Sequence, residues 1–592
     1  MSLFQRFLRA GIGPAVALLA VLPGSADAET LTVRDIKLEA GVVQVTIPQI
    51  DVIDGDASEA DIRGLFATDG FLPSMKRLAE MKARSISVPT LTVRQDVPIE
   101  NGARLVVDMV FTGFEMKDLA GGVARQVVVG DLTYLVKAKE DVRITLGRLS
   151  AEDFGLRNLF EMYVGEAAAG HKNLMLVYRN FEMTGGQVAA PGLSTCSIGA
   201  ARGREFSARP MPYAMGELQA LSEQAKDRKD FEPAMIGKLV LLYDWIFNGM
   251  VTAPMEFDGF KCTFKTEKQE TVSIGLGKGT IGAFGDGRYP SFGFSDLEVT
   301  SNLNLAVKIR SMLFKGMNFK QVLATVVPIR EQLTPEWFAG NYRKLIPHFD
   351  GFKIEGVSFV APDKDKPLET ISGALELFDL TLGGYRAGIP SDIAIDTRHL
   401  VFDLPKASRD AQVKQLLKAG LTRLDMGFRG FLKWDEASST IRIADLSVEA
   451  EQLGAARLTG TIGNAEADLF DEDPLMMQIA AMALTARDLS VKLDDRGLIN
   501  IAVQQQAGGQ GGDVKAKRKK FGEMAAMLVA GTLGGTAEAK KVAQAIAGFV
   551  SAGKPLALTA TASEPEGIDV MSLLMASNDP KKLLDKVKIS TP

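Results

Sequence analysis

Only two of the 592 residues are cysteine and three are histidine. None of His171, His348 and His399 has a second His, Cys or Glu at a zinc-ligand spacing. No G-x-S-x-G elbow or S-x-x-K stretch supplies an activated serine. Beyond the N-terminus no apolar run approaches the ~20 residues that span a bilayer as a helix. The nearest, Met524 to Gly535, is too short and rich in Gly. A global excess of positive charge is absent as well. Lys and Arg number 68 against 73 Asp and Glu, a net charge of −5, so no general nucleic-acid surface is expected.

What is present begins with an export signal. Arg6 and Arg9 precede the apolar run Ala15 to Leu22, and Ala26-Asp27-Ala28 supplies small residues for a signal peptidase. The expectation is a signal peptide over 1–28, cleaved after Ala28, and a periplasmic mature chain with no transmembrane span. In that oxidising compartment Cys196 and Cys262 most simply form one disulfide; two buried thiols are the alternative.

One phrase recurs: "DIKL" at Asp35, "NFEM" at Asn180, "DLEV" at Asp296, "DLTL" at Asp379, and "DLSV" at Asp445 and again at Asp488. Asp and Asn favour turns that precede strands, so the phrase reads as a strand entry. "DLSVEAEQLGAARLTGTIG" and "DLSVKLDDRGLINIAV" alternate in period two around Gly-containing turns, the pattern of β-hairpins. Amphipathic helical stretches separate them, among them Ala151 to Ala169 and Met317 to His348, the longest at 215–250. The fold class expected is α+β, with extended, twisted antiparallel sheets of repeated hairpins covered by amphipathic helices. Composition shifts divide the mature chain into an N-terminal α+β domain at 29–205, a middle α+β domain at 206–405 and a C-terminal hairpin and helix domain at 406–592. The segment 504–520 reads as flexible.

Three motifs bear on chemistry. "GKGTIG" at Gly277 fits a dinucleotide glycine pattern, but "AFGDGRYPSFGF" follows where a helix is required, so it reads as a Gly-rich hairpin turn. No cofactor and no metal are expected. The acidic clusters Asp51 to Asp61 and Asp468 to Pro474 read as helix caps rather than calcium loops. The basic run Lys515, Lys517, Arg518, Lys519 and Lys520 precedes an apolar helix. It reads as a contact for anionic lipid or an acidic partner, against the plainer reading of a solvated helix start.

The repeated amphipathic strands opened by "DLSV"-type phrases resemble those of AsmA-type envelope proteins and the periplasmic YdgA-like group. The AsmA likeness implies a long curved sheet with an apolar interior able to hold acyl chains. No catalytic motif is present, so the expected function is non-enzymatic: a cell-envelope protein that binds a lipid-like ligand in a sheet-lined groove. Two readings stay open beside it, a periplasmic protein-binding scaffold and a hydrolase of envelope polymers using dispersed carboxylates.

Overall fold

The computed structural model describes the chain from Glu29 to Thr591, except residues 41, 67–76, 78–79, 99–103, 138–140, 165–172, 193, 214–216, 218–232, 267–268, 363–369, 407, 409, 507–512, 571 and 574–583. The expected signal peptide and His171 fall outside the described residues, as does most of 215–232; the rest of the expected long helix is Pro233–Asn248. The chain divides into two compact units, one of Met1–Leu303 with Gly316–Gly340, the other of Asn304–Lys315 with Asn341–Pro592.

The α+β expectation is overturned. Strands account for 54% of the described residues and helices for 25%, so the fold is largely β. Most helices run only 6 to 9 residues, too short to roof strands of similar or greater length. Part of the expected helix Ala151 to Ala169 is strand Leu149–Gly155, and the expected helix Met317 to His348 breaks into short helical turns. Leu149–Gly155 is extended because its backbone pairs with Val123–Val129 on one side and Met175–Met183 on the other. No helix among the described residues is long and apolar enough to cross a membrane.

In the first unit, strands Thr30–Ala40, Val43–Ile53, Lys82–Pro98 and Arg104–Ala120 form an antiparallel sheet. Their inward residues, among them Val33, Ile47, Ile50, Val88 and Phe114, are fully buried in one core. Helix Glu59–Gly64 adds Ile62 to it and starts at a capping box made by Ser58 and Asp61. The sheet then forks. The two halves of Arg104–Ala120 pair with different partners, Val123–Val129 and Asp131–Lys137. Both branches rejoin on Met255–Lys265. A crease runs between them, but backbone hydrogen bonds cross it, from Gly130 to Thr112 at 2.8 Å and from Gly199 to Gly259 at 2.8 Å. Close approach demands glycine there, because a Cβ on Gly199 would lie 1.0 Å from the Asp258 carbonyl oxygen. Cys196 and Cys262 face each other across the rejoined ladder and are bonded.

The recurring phrase does not mark strand entry. All six copies lie inside strands. Asp35, Asn180 and Asp296 have φ of +57°, +46° and +55°, a left-handed conformation that Asp and Asn tolerate better than other side chains. Beside Asp445 and Asp488 the ladder shifts register by a bulge. In five of the six copies the acid or amide therefore marks a bend or bulge midway along a strand; Asp379 keeps its register.

"GKGTIG" is not a hairpin turn either. Gly277 to Ile281 belong to strand Thr271–Ile281. Gly279 pairs with Phe257, and a Cβ on Gly279 would stand 1.7 Å from that ring. The missing side chain is the seat of the aromatic one. Gly279→Ala is expected to displace Phe257 at a cost of about 1–3 kcal/mol, read as a lower urea midpoint with an unchanged slope.

The second unit is a meander. Strands Ala306–Phe314, Gly351–Pro362, Thr370–Gly383, Asp392–Asp403, Arg423–Asp435, Thr440–Ala450, Gly454–Gly463, Thr485–Asp495 and Leu556–Ala562 pair in that order, all antiparallel. The hairpin expected after Asp488 does not close. The Asp495 carboxylate accepts from the N–H groups of Gly497 and Ile499, and Leu498–Gln506 continues as a helix. Helices Val514–Thr532 and Ala537–Ala552 follow, and Val514 to Lys520, within the segment expected to be flexible, form the first turns of one of them.

Candidate functional site: an open apolar sheet face

Register builds the site, since side chains directly opposed in an antiparallel ladder share a face. In the second unit one such row runs Phe314, Phe352, Leu380 and Ile395. It passes Gly430 and continues through Leu446, Leu458, Val491 and Leu558. A second row two residues along includes Met312, Ile354, Phe378, Phe428, Val448 and Leu493. On its other side a third includes Leu382, Ile393, Leu432, Ile443 and Leu489. Three adjacent apolar rows thus cross the sheet on one face.

The recurring phrase writes this face. In "DLTL", Leu380 and Leu382 enter the apolar rows; in the two "DLSV" copies Leu446 and Val448, then Leu489 and Val491, do the same. The leading acids fall on the opposite face.

That opposite face is charged. Lys353, Asp379, Asp396, Arg429, Ser447, Arg457 and Lys492 form one continuous row. Its carboxylates are matched: Asp379 with Lys315, Asp396 with Arg398, and Asp445 with Arg457 at 2.9 Å. A cavity of about 1090 Å³ opens on this side. Lys433, Arg442, Glu436 and Asp488 among its lining make it a polar cleft unsuited to acyl chains. His348 borders it, stacked on Tyr385 at 4.3 Å, and burial lowers the pKa of its imidazole.

The apolar face is not sealed. The side chains of the three rows remain part-exposed, and Phe428 and Val448 are 38% and 53% exposed; at the margins Leu556, opposite Leu493, and Leu424 and Trp434, at the two ends of Arg423–Asp435, are buried. The first unit's core strands bury the same residue types almost completely. A large apolar side chain left half open forgoes roughly 1 kcal/mol of burial. A ligand that covers the three rows recovers that for each chain it touches.

His399 lies at a kink in the same sheet, at φ +47°. Its Nδ1 stands 3.1 Å from Asp425 and its Nε2 3.6 Å from Glu376. The hydrogen bond to Asp425, reinforced by that carboxylate's charge, raises its pKa above the usual 6.5. The raised value favours the folded state fully below about pH 6.5, and the contribution is lost as pH rises through the folded pKa. The ring is exposed to solvent, so the gain stays below about 1 kcal/mol. His399→Asn, which keeps a residue tolerant of positive φ, should lower the melting temperature at pH 5 and leave it unchanged at pH 8.5.

The other sequence candidates are dispersed. Asp51 takes hydrogen bonds from Thr32 and Gln49, and Asp473 caps helix Pro474–Met482. No group of His, Cys, Asp or Glu among the described residues is arranged to hold a metal ion. Of the basic run, Arg518 turns inward. It pairs with Asp495 at 2.9 Å and donates to the carbonyls of Val550 and Phe549 and to Asn500. Lys515, Lys519 and Lys520 face solvent, and Lys517 is part-exposed.

The alternation is legible in the sequence, but which strands share it is not, because register is a property of pairing. Residues 447–591 are similar to a family described as "Uncharacterized protein". No curated protein and no solved structure matches the chain.

Proposed function

We propose that this is an exported, non-enzymatic protein of the bacterial envelope that holds acyl chains against the open face of its second unit. The carrying observation is that face: three adjacent rows of Leu, Ile, Val, Phe and Met that no second layer among the described residues buries. Extended hydrocarbon suits it, because a pleated surface with little polar lining offers dispersion contact along its length and no hydrogen-bond code. The charged opposite face keeps the sheet wetted on its other side. A disulfide between Cys196 and Cys262 is consistent with an oxidising compartment.

Native mass spectrometry of protein purified from periplasm without detergent, with lipid analysis of a solvent extract, tests the proposal. Acyl-bearing adducts near one per chain are expected. A clean apo mass together with a lipid-free extract would overturn it.

A further inference from the structure

Helix Val514–Thr532 begins against its own dipole. Asp513 caps it by accepting from the Lys515 N–H, yet Lys515, Lys517, Arg518, Lys519 and Lys520 crowd its first two turns, where positive charge is unfavourable. Arg518 is accounted for by its inward ion pair and carbonyl contacts. Lys517 also has an interaction partner. Lys515, Lys519 and Lys520 are exposed and take part in none of the ion pairs seen among the described residues.

Their positions on the helix give them a use. Lys520, Met524 and Leu528 succeed one another at four-residue steps, as do Lys519, Glu523 and Met527, so both series follow one outward side. From Lys520 to Leu528 that stripe is about 12 Å long. Its far end is apolar and wet: Met527 and Leu528 are 70% and 72% exposed, and Met524 is exposed beside them. One carboxylate, Glu523, interrupts it. Lys540 and Lys541, exposed near the start of the next helix, add positive charge beside Glu538. A solvated helix face has no need of three large apolar side chains in sequence, and an inward face would bury them.

We infer that this stripe docks the protein on an anionic phospholipid surface, with Lys515, Lys519 and Lys520 on the headgroups and Met524, Met527 and Leu528 among the upper acyl carbons. Charge complementarity favours an anionic surface, and the adjoining apolar end favours lipid over an acidic protein. The inference does not depend on the acyl-chain reading, because membrane attachment and ligand content are measured separately.

The test is co-flotation of the full chain with phosphatidylcholine vesicles, with and without phosphatidylglycerol. Binding is expected only when phosphatidylglycerol is present and should weaken as salt is raised. Lys519→Glu with Lys520→Glu should reduce it about tenfold or more, and Met527→Gln with Leu528→Gln by a similar factor. All four side chains are exposed, so circular dichroism and melting of both variants should match the parent. Equal partitioning to neutral vesicles, or flotation that neither pair of substitutions alters, would overturn the inference. Sensitivity to the lysines alone would also overturn it, because contact would then stop at the headgroups and leave Met524, Met527 and Leu528 outside the lipid.

Discussion

Phe428→Asp combined with Val448→Lys is expected to strip the protein of the acyl chains proposed to lie on its open face, and to leave it folded. The two residues are directly opposed in the ladder and stand in the middle of the apolar rows. A charge on each breaks the hydrocarbon surface where a chain would cross it. Losing the apolar contact and desolvating a polar pair together cost roughly 3 kcal/mol or more, a drop in affinity of about a hundredfold. The fold tolerates the change because both positions are already substantially exposed, and opposite charges facing each other across a pair of strands attract. The measurement is the amount of extractable lipid per protein, beside a thermal melt. Unchanged lipid content in a folded variant would remove this face as the binding surface.

Arg518→Ala is expected to be the most damaging substitution in the helical end of the second unit. Arg518 and Asp495 are 13% and 2% exposed, so truncating the arginine leaves a buried carboxylate without its cation. It also releases the carbonyls of Phe549 and Val550, which Arg518 holds at the end of helix Ala537–Ala552. Removing one partner from such a pair costs about 3–5 kcal/mol. Denaturant unfolding followed by far-ultraviolet circular dichroism checks this, with Lys519→Ala as the control, expected within about 0.5 kcal/mol of the parent. Arg518→Lys should fall between them, since one ammonium cannot reproduce a fork that reaches Asp495, Asn500 and two carbonyls. If Arg518→Ala and Lys519→Ala unfold alike, the inward role of Arg518 is wrong.

The sequence by itself was enough to establish the two-sided character of the strands. "DLSV" and "DLTL" state that an apolar residue follows every polar one, and extended backbone turns that spacing into two faces. It also carried the two cysteines as a candidate pair, and the hairpin that turns at Gly454. These are readings of local period and of residue type.

Other features depend on what lies across the ladder or against the helix. Asp35, Asn180 and Asp296 were legible as turn formers, but only the ladder pairing of the residues around them holds them in mid-strand as bends. Gly279 is explained by the Phe257 ring that fills its place, a residue one strand away. Arg518 is indistinguishable from Lys519 by composition, and only the packing of three helices sends one inward and the other to solvent. The apolar face is the largest case. Alternation says that a strand has an apolar side, but whether a second layer covers that side is decided by distant segments. Here the expected helical roof is too short and too sparse, so the rows stay open. A local pattern specifies a surface; only tertiary packing determines whether it becomes a core or a place to bind.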